Sequence, residues 1–126
     1  MELHYSIEAA NKVLEAIRKI KIKSKEAIVI EAWSNGREQG YFLSYRDHSS
    51  DVVVWRGVCV AQQRNGDSIV VIFGGYDFFD ISTHQPNDAL WEDNRRWFRY
   101  DDAKGAALAI VDYLVMGIPI MRSVTR

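Results

Sequence analysis

The chain is poor in residues that bind metals. It has a single cysteine, Cys59, so it can form neither an internal disulfide nor a cysteine-based metal cluster. Its three histidines, His4, His48 and His84, are scattered without the close pairing that metal sites use. The sequence therefore predicts no metal and no cofactor. One unpaired cysteine is also typical of a reduced, cytoplasmic protein.

Long apolar runs are missing as well. No stretch of the chain approaches the ~20 apolar residues that a membrane helix needs. The segment MELHYSIEAANK at the start lacks the basic and then apolar regions of a secretory signal, so we expect neither membrane insertion nor secretion. Hydrophobic residues make up 48% of the chain and charged residues 26%, which is typical of a globular protein. The length predicts a single domain over residues 1–126.

A strong net charge is also absent, but the charges are unevenly distributed. The net charge is −1 at pH 7. Residues 1–26 carry six Lys or Arg against four Glu, which is too small an excess to predict nucleic-acid binding. Residues 75–112 carry eight Asp or Glu against four Lys or Arg, a local net charge of −4. This acidic part favours a basic protein partner.

Apolar periodicity predicts one helix at each end of the chain. Near the start, Ser6 is placed to cap a helix whose apolar face repeats at helical spacing. That face consists of Ile7, Ala10, Val13, Leu14, Ile17 and Ile20. Near the end, Asp101 or Asp102 is expected to cap a second helix, and Gly117 is expected to end it.

Between the helices, β-branched and aromatic runs predict a series of strands. The expected strands are residues 27–33, 41–46, 52–63, 68–74, 76–82 and 95–100. Asn35-Gly36 and Asn65-Gly66 are strong hairpin signals, so the strands that flank them should pair antiparallel. Gly57 suggests a bulge or a close approach of the backbone.

These elements together predict an α+β fold. We expect an antiparallel, meandering β-sheet of five to six strands, with the N- and C-terminal helices packed on one face. The other face of the sheet should then be partly open. Four aromatic residues are candidates to cover it: Trp33, Tyr41, Tyr45 and Trp55.

Catalytic signatures are weak. Cys59 lies between valines in a strand pattern, which predicts a buried structural thiol. Gly74-Gly75 is not followed by the spacing of a phosphate-binding loop. No nucleophile, base and orienting group converge in the sequence, and we therefore expect a protein that is not an enzyme. The alternative is a small hydrolase or nuclease that uses Asp77, Asp80, His84 and Glu92.

The segment DISTHQPNDALWEDNRRW (residues 80–97) combines acidic and aromatic residues, and its surroundings continue the pattern. We interpret residues 76–93 as a docking surface, with Trp91 as its apolar anchor because a rigid indole buries much area at little entropic cost. The other expected contact residues are Tyr76, Asp77, Phe79, Asp80, Asp88, Glu92 and Asp93. In the competing interpretation Trp97 and Phe98 lie in the core, and Trp91 folds back to plug the loop.

The C-terminal stretch RWFRYDDAKGAALAIVDYLVMGIPI resembles the closing element of the Imm1 family of bacterial immunity proteins. The matching features are Asp101 and Asp102 before a helix, the pair Tyr113-Leu114 near its end, and an exit through Gly117 and Pro119. The strands GYFLSY and SIVVIFGG also lie about where the strands of that family do.

The resemblance implies a non-enzymatic inhibitor that binds a cognate toxin domain, often one that acts on nucleic acid, and blocks its substrate groove. The partner would be a protein with a basic groove. No direct contact with nucleic acid or with a membrane is expected. A phage-type inhibitor of a host defence enzyme would follow the same physical logic and differ only in its target.

Overall fold

The computed structural model of the protein describes residues 5–21, 28–34, 39–47, 54–63, 68–75, 79–80, 85–86, 95–118 and 120. Within these ranges the elements follow in the order β1 (Tyr5–Ser6), α1 (Glu8–Lys19), β2 (Ile28–Ser34), β3 (Gln39–Asp47), β4 (Val54–Gln63), β5 (Ser68–Gly74), β6 (Phe79–Asp80), β7 (Gln85–Pro86), β8 (Arg95–Arg99) and α2 (Ala103–Met116).

In the described part of the chain, five strands form one open antiparallel sheet in the order β2-β3-β4-β5-β8. Strand β1 pairs with the last two residues of β4, and β6 and β7 form a separate two-stranded sheet. The α+β prediction of an antiparallel sheet with a helix from each end of the chain is confirmed.

The two predicted hairpins are present. Ser34 pairs with Gln39 across β2 and β3, and Gln63 pairs with Ser68 across β4 and β5. The Asn-Gly turns that join these strands lie outside the described residues. Of the two roles expected for Gly57, the bulge is absent, because Gly57 pairs in regular register with Ser44 of β3 and with Gly74 of β5.

The start of α1 differs from the prediction. Ser6 belongs to β1, and the N-cap is Ile7, which makes no side-chain capping hydrogen bond. A residue far along the chain supplies an acceptor instead, since the Ala9 backbone N–H donates to Gln62 Oε1 at 3.2 Å. The first backbone N–H groups of a helix have no acceptor within the helix, so one that is buried needs such a partner.

The ends of α2 follow local chemistry. Asp102 is the N-cap, and its Oδ1 accepts from the Gly105 backbone N–H at 3.2 Å. A Cβ on Gly105 would lie 2.5 Å from that same oxygen, so the cap geometry favours glycine there. Gly117 ends the helix with φ of 73°, as predicted. Near this end, Arg56 Nη1 donates to the Leu114 carbonyl at 2.9 Å.

Both helices pack on one face of the sheet, as predicted. They share an apolar cluster with alternate residues of β3, β4 and β5 and with one residue of β8: Leu43, Tyr45, Val58, Val60, Ile69, Val71, Phe73 and Phe98. The predicted apolar face of α1 is confirmed, with Ala10, Val13, Leu14 and Ile17 buried in this cluster.

The two tyrosines of β3 correct one prediction. Tyr41 and Tyr45 were expected to cover the sheet face away from the helices, but both pack into the cluster on the helix side. The Tyr41 hydroxyl also donates to Asn11 Oδ1 on α1 at 2.8 Å. The side chains of Trp33 and Trp55, the other two candidates, lie outside the described residues.

Candidate partner-binding surface

The sheet face opposite the helices carries its own apolar cluster. Its buried members are Phe42, Cys59, Ala61, Val70, Ile72 and Phe79, and Trp97 packs against them. Strand alternation explains the set, since these β3, β4 and β5 residues alternate with those that face the helices. Phe79 comes from outside the sheet. It belongs to β6, in the connection between β5 and β8 (residues 75–94).

Phe79 anchors this connection by packing against the sheet. Its ring lies edge-on to Phe42 of β3, with the centroids 5.1 Å apart and the planes at 70°. Two pairs of residues join β6 to β7, Phe79 with Pro86 and Asp80 with Gln85. Because Phe42 belongs to β3, two strands away from β5 in the sheet, the contact places the Phe79 ring over this face.

This position corrects the role expected for Phe79. We expected it among the exposed contact residues of a docking surface, but its side chain is only 3% exposed and belongs to the apolar cluster. A ring enclosed in this way supports the connection from inside and is not available as an exposed contact. The Phe79 side chain therefore covers part of this face of the sheet.

The structure does not describe the side chains of the other predicted site residues. Tyr76, Asp77, His84, Asp88, Trp91, Glu92 and Asp93 lie outside the described residues, and Asp80 is described in its backbone only. Their place in a docking surface stays a prediction, as does the alternative catalytic set. Within the described part of the chain, no three His, Cys, Asp or Glu side chains are grouped so that they could hold a metal ion.

Strand β8 follows the connection in the sequence and pairs with β5 at the edge of the sheet. Phe98 is buried on the helix side, which confirms its place in the core, and Trp97 is half-buried against the cluster on the opposite side. The Arg95 guanidinium lies 5.6 Å from the centroid of the Trp97 ring, and that of Arg96 lies 5.4 Å from Phe73. Both arginines that follow the acidic connection are thus held close to aromatic rings.

Cys59 has the environment of a structural residue, as predicted. It is buried in the cluster on the face opposite the helices, and burial raises the pKa of its thiol well above the ordinary value. A protonated, enclosed thiol is a poor nucleophile. Burial also raises the pKa of the Tyr113 hydroxyl, an effect that the nearby Arg56 charge opposes.

Two residues with important contacts were not found from the sequence. Gln62, which caps α1, is separated from Ala9 by 53 positions, and no local pattern reveals such a bond. Phe42, which Phe79 contacts, lies in a run of three consecutive apolar or aromatic residues (41–43), so alternation did not assign its face.

Comparison of the chain with protein-family models, curated proteins and solved structures finds no match. The resemblance to the Imm1 family therefore stays a prediction. In the described part of the chain, no helix combines the length and apolar character needed to cross a membrane.

Proposed function

We propose that the protein is a non-enzymatic inhibitor, which binds a cognate toxin or effector protein and blocks it through the connection between β5 and β8. One observation carries the proposal. Residues 75–94 contain five Asp or Glu and no Lys or Arg, and Phe79 fastens this acidic segment to the sheet.

The anchor at Phe79 supports a binding role on physical grounds. A free loop loses conformational entropy when it binds, and this loss weakens the complex. A loop that is already fixed at one point has less freedom to lose. The ring of Phe79 is buried against Phe42, so the anchor itself does not depend on a partner.

The charge of the segment indicates the chemistry of the partner. An acidic surface attracts a basic one, which raises the rate of association and excludes partners of the wrong charge. Proteins that act on nucleic acid have basic grooves, because they must neutralise phosphates. We therefore propose a nucleic-acid-targeting toxin, with the acidic segment occupying the groove in place of the phosphate chain. The protein would act in the cytoplasm.

The residues of the proposed surface have different roles in binding. Trp91 is the apolar anchor, and Tyr76 extends the aromatic part. The charged surround consists of Asp77, Asp80, Asp88, Glu92 and Asp93. Phe79 has a different part from the one we predicted, because it holds the segment on the sheet from inside.

The proposal is tested by capture of the partner from a lysate of the native host. The bait is the wild-type protein or the variant Asp88→Asn/Glu92→Gln/Asp93→Asn, at low and high salt, and mass spectrometry identifies what is retained. The matched control is Glu8→Gln/Glu15→Gln/Asp101→Asn, which removes three exposed acidic charges elsewhere on the protein. Both variants have the same net charge, so general electrostatic effects are equal.

We expect the wild-type protein and the control to retain one basic protein, and the variant in residues 88–93 to lose it. Equal retention by all three baits would contradict the proposal, and so would equal loss from both variants. Purified wild-type protein should also lack nuclease and esterase activity. An activity that Asp80→Ala, His84→Ala or Glu92→Ala abolishes would show that the protein is an enzyme.

A further inference from the structure

The exposed residues at and just beyond α2 include large apolar side chains. Leu108 is 43% exposed and Met116 is 69% exposed, and Ile118 just beyond the helix is also exposed. The sequence AKGAALAIVDYLVM contains only two charged residues, Lys104 and Asp112. A surface helix ordinarily presents polar side chains to water, so large apolar side chains among its exposed residues form a further surface to bury.

The two charges lie on the same exposed ridge as Leu108. Positions 104, 108 and 112 are four residues apart, so their side chains are neighbours along one side of the helix. Lys104 and Asp112 are both exposed. The ridge therefore presents a positive charge, an apolar side chain and a negative charge in sequence.

Lys104 is poorly placed for the stability of its own helix. It lies in the first turn of α2, next to the N-terminus. The helix dipole makes this end positive, so a cation there is unfavourable, whereas an anion would be favourable. Because Lys104 is a cation at the positive end of its own helix dipole, we infer that its charge serves a contact with a partner outside the chain.

The order of the three residues is complementary to itself when the helix is reversed. If two copies of α2 meet antiparallel on a two-fold axis at Leu108, position 104 of one copy faces position 112 of the other. Each Lys104 then meets an Asp112 of the second copy, and the two Leu108 side chains meet at the axis. The same surface serves both partners, which is the usual symmetry of protein dimers.

We propose that the protein forms a homodimer through α2, with paired Lys104–Asp112 contacts around a central Leu108–Leu108 contact. The charge complementarity identifies the occupant of this surface as a second copy of the chain. The proposal does not depend on the inhibitor function, because α2 and the acidic connection are separate segments.

Charge reversal tests the pairing directly. Lys104→Glu places acids opposite acids, and Asp112→Lys places lysines opposite lysines, so each variant should raise the dimer dissociation constant by about tenfold or more. The double variant Lys104→Glu/Asp112→Lys exchanges the two charges and should dimerise like the wild type. An equimolar mixture of the two single variants should form a heterodimer, since each then faces the opposite charge. Sedimentation velocity at several protein concentrations measures all four.

A cysteine scan tests the register. Leu108→Cys should form a disulfide-linked dimer under mild oxidation, because the two thiols meet at the axis. Met116→Cys is the control, since position 116 of one copy faces position 100 of the other and two such thiols stay apart. Cys59 is buried and gives no background.

A wild-type protein that stays monomeric at millimolar concentration would overturn the proposal. So would a double variant that dimerises as weakly as the single variants, or equal cross-linking at positions 108 and 116. Partner capture by Lys104→Glu should match that of the wild type, so failure of the dimer and failure of the inhibitor function can be told apart.

Discussion

Replacing Phe79 with alanine removes the ring that joins the β5–β8 connection to the sheet. The side chain is 3% exposed and lies edge-on to Phe42, with the centroids 5.1 Å apart. Burial of a phenylalanine side chain contributes about 2–3 kcal/mol, and an edge-to-face aromatic pair adds about 1 kcal/mol. The short β6–β7 unit can settle into part of the space, which recovers some of this loss. We expect Phe79→Ala to lower the free energy of unfolding by about 3 kcal/mol.

Equilibrium unfolding in urea measures this loss, and thermal unfolding should show a midpoint lower by roughly 10 °C. Phe79→Leu keeps apolar volume but loses the aromatic pair, so it should cost less than about 1.5 kcal/mol. Leu108→Ala, at an exposed apolar position, is the matched control and should change stability by less than about 0.5 kcal/mol at dilute concentration.

Binding provides the second half of this test. If Phe79 holds the docking segment in place, Phe79→Ala should weaken the captured partner's binding without removing any contact with it. A Phe79→Ala protein that unfolds like the wild type but no longer binds would refute the reasoning. It would show that the ring is an exposed contact after all, as the sequence alone led us to expect.

Two further predictions concern buried groups. Gln62→Leu leaves the Ala9 N–H without the acceptor at 3.2 Å, so it should lower the free energy of unfolding by about 1–3 kcal/mol and speed amide exchange at Ala9; unchanged exchange would contradict the capping role. For Cys59, burial raises the pKa of the folded state, so the unfolded state releases the proton first as the pH rises through the ordinary value of about 9. The ionisation of Cys59 should therefore leave the free energy of unfolding unchanged below that pH. Above it, this one group should lower the free energy of unfolding by about 1.4 kcal/mol per pH unit until the folded thiol also ionises. Cys59→Ala should remove this slope in pH-dependent urea unfolding, and an identical slope in both proteins would contradict the assignment.

The fold was predictable because its signals are local. Two Asn-Gly pairs specified which strands are neighbours, and the spacing of Val13, Leu14 and Ile17 specified the buried side of α1. The capping of that helix was not predictable. Ser6 is a suitable capping residue by type, yet Gln62 of a distant strand performs part of this role.

The faces of β3 were harder to assign for a physical reason. Residues 41–43 are all apolar or aromatic, so alternation of apolar and polar residues does not distinguish the two sides of β3. As a result Tyr41 and Tyr45 were placed on the wrong side.

The candidate site was predictable in its composition but not in its arrangement. Five acids without a compensating Lys or Arg in residues 75–94 are visible in the sequence. The contact between Phe79 and Phe42 is not, because the two residues are far apart in the sequence and meet only in the folded structure. Phe79 was therefore assigned to the surface because its neighbours in the sequence are acidic, but it is part of the core.

The claim that the acidic segment docks a basic protein is tested most directly by binding kinetics with the captured partner. Surface plasmon resonance would measure both rate constants for the wild type, Trp91→Ala and Asp88→Asn/Asp93→Asn at low and high salt. We predict that Trp91→Ala costs about 2–4 kcal/mol, mainly through faster dissociation. The double Asn variant should mainly slow association, and its defect should vanish in high salt as screening shortens the reach of the charges. An association rate indifferent to salt, together with a Trp91→Ala protein that binds normally but unfolds easily, would show that the segment is structural and that its indole belongs to the core.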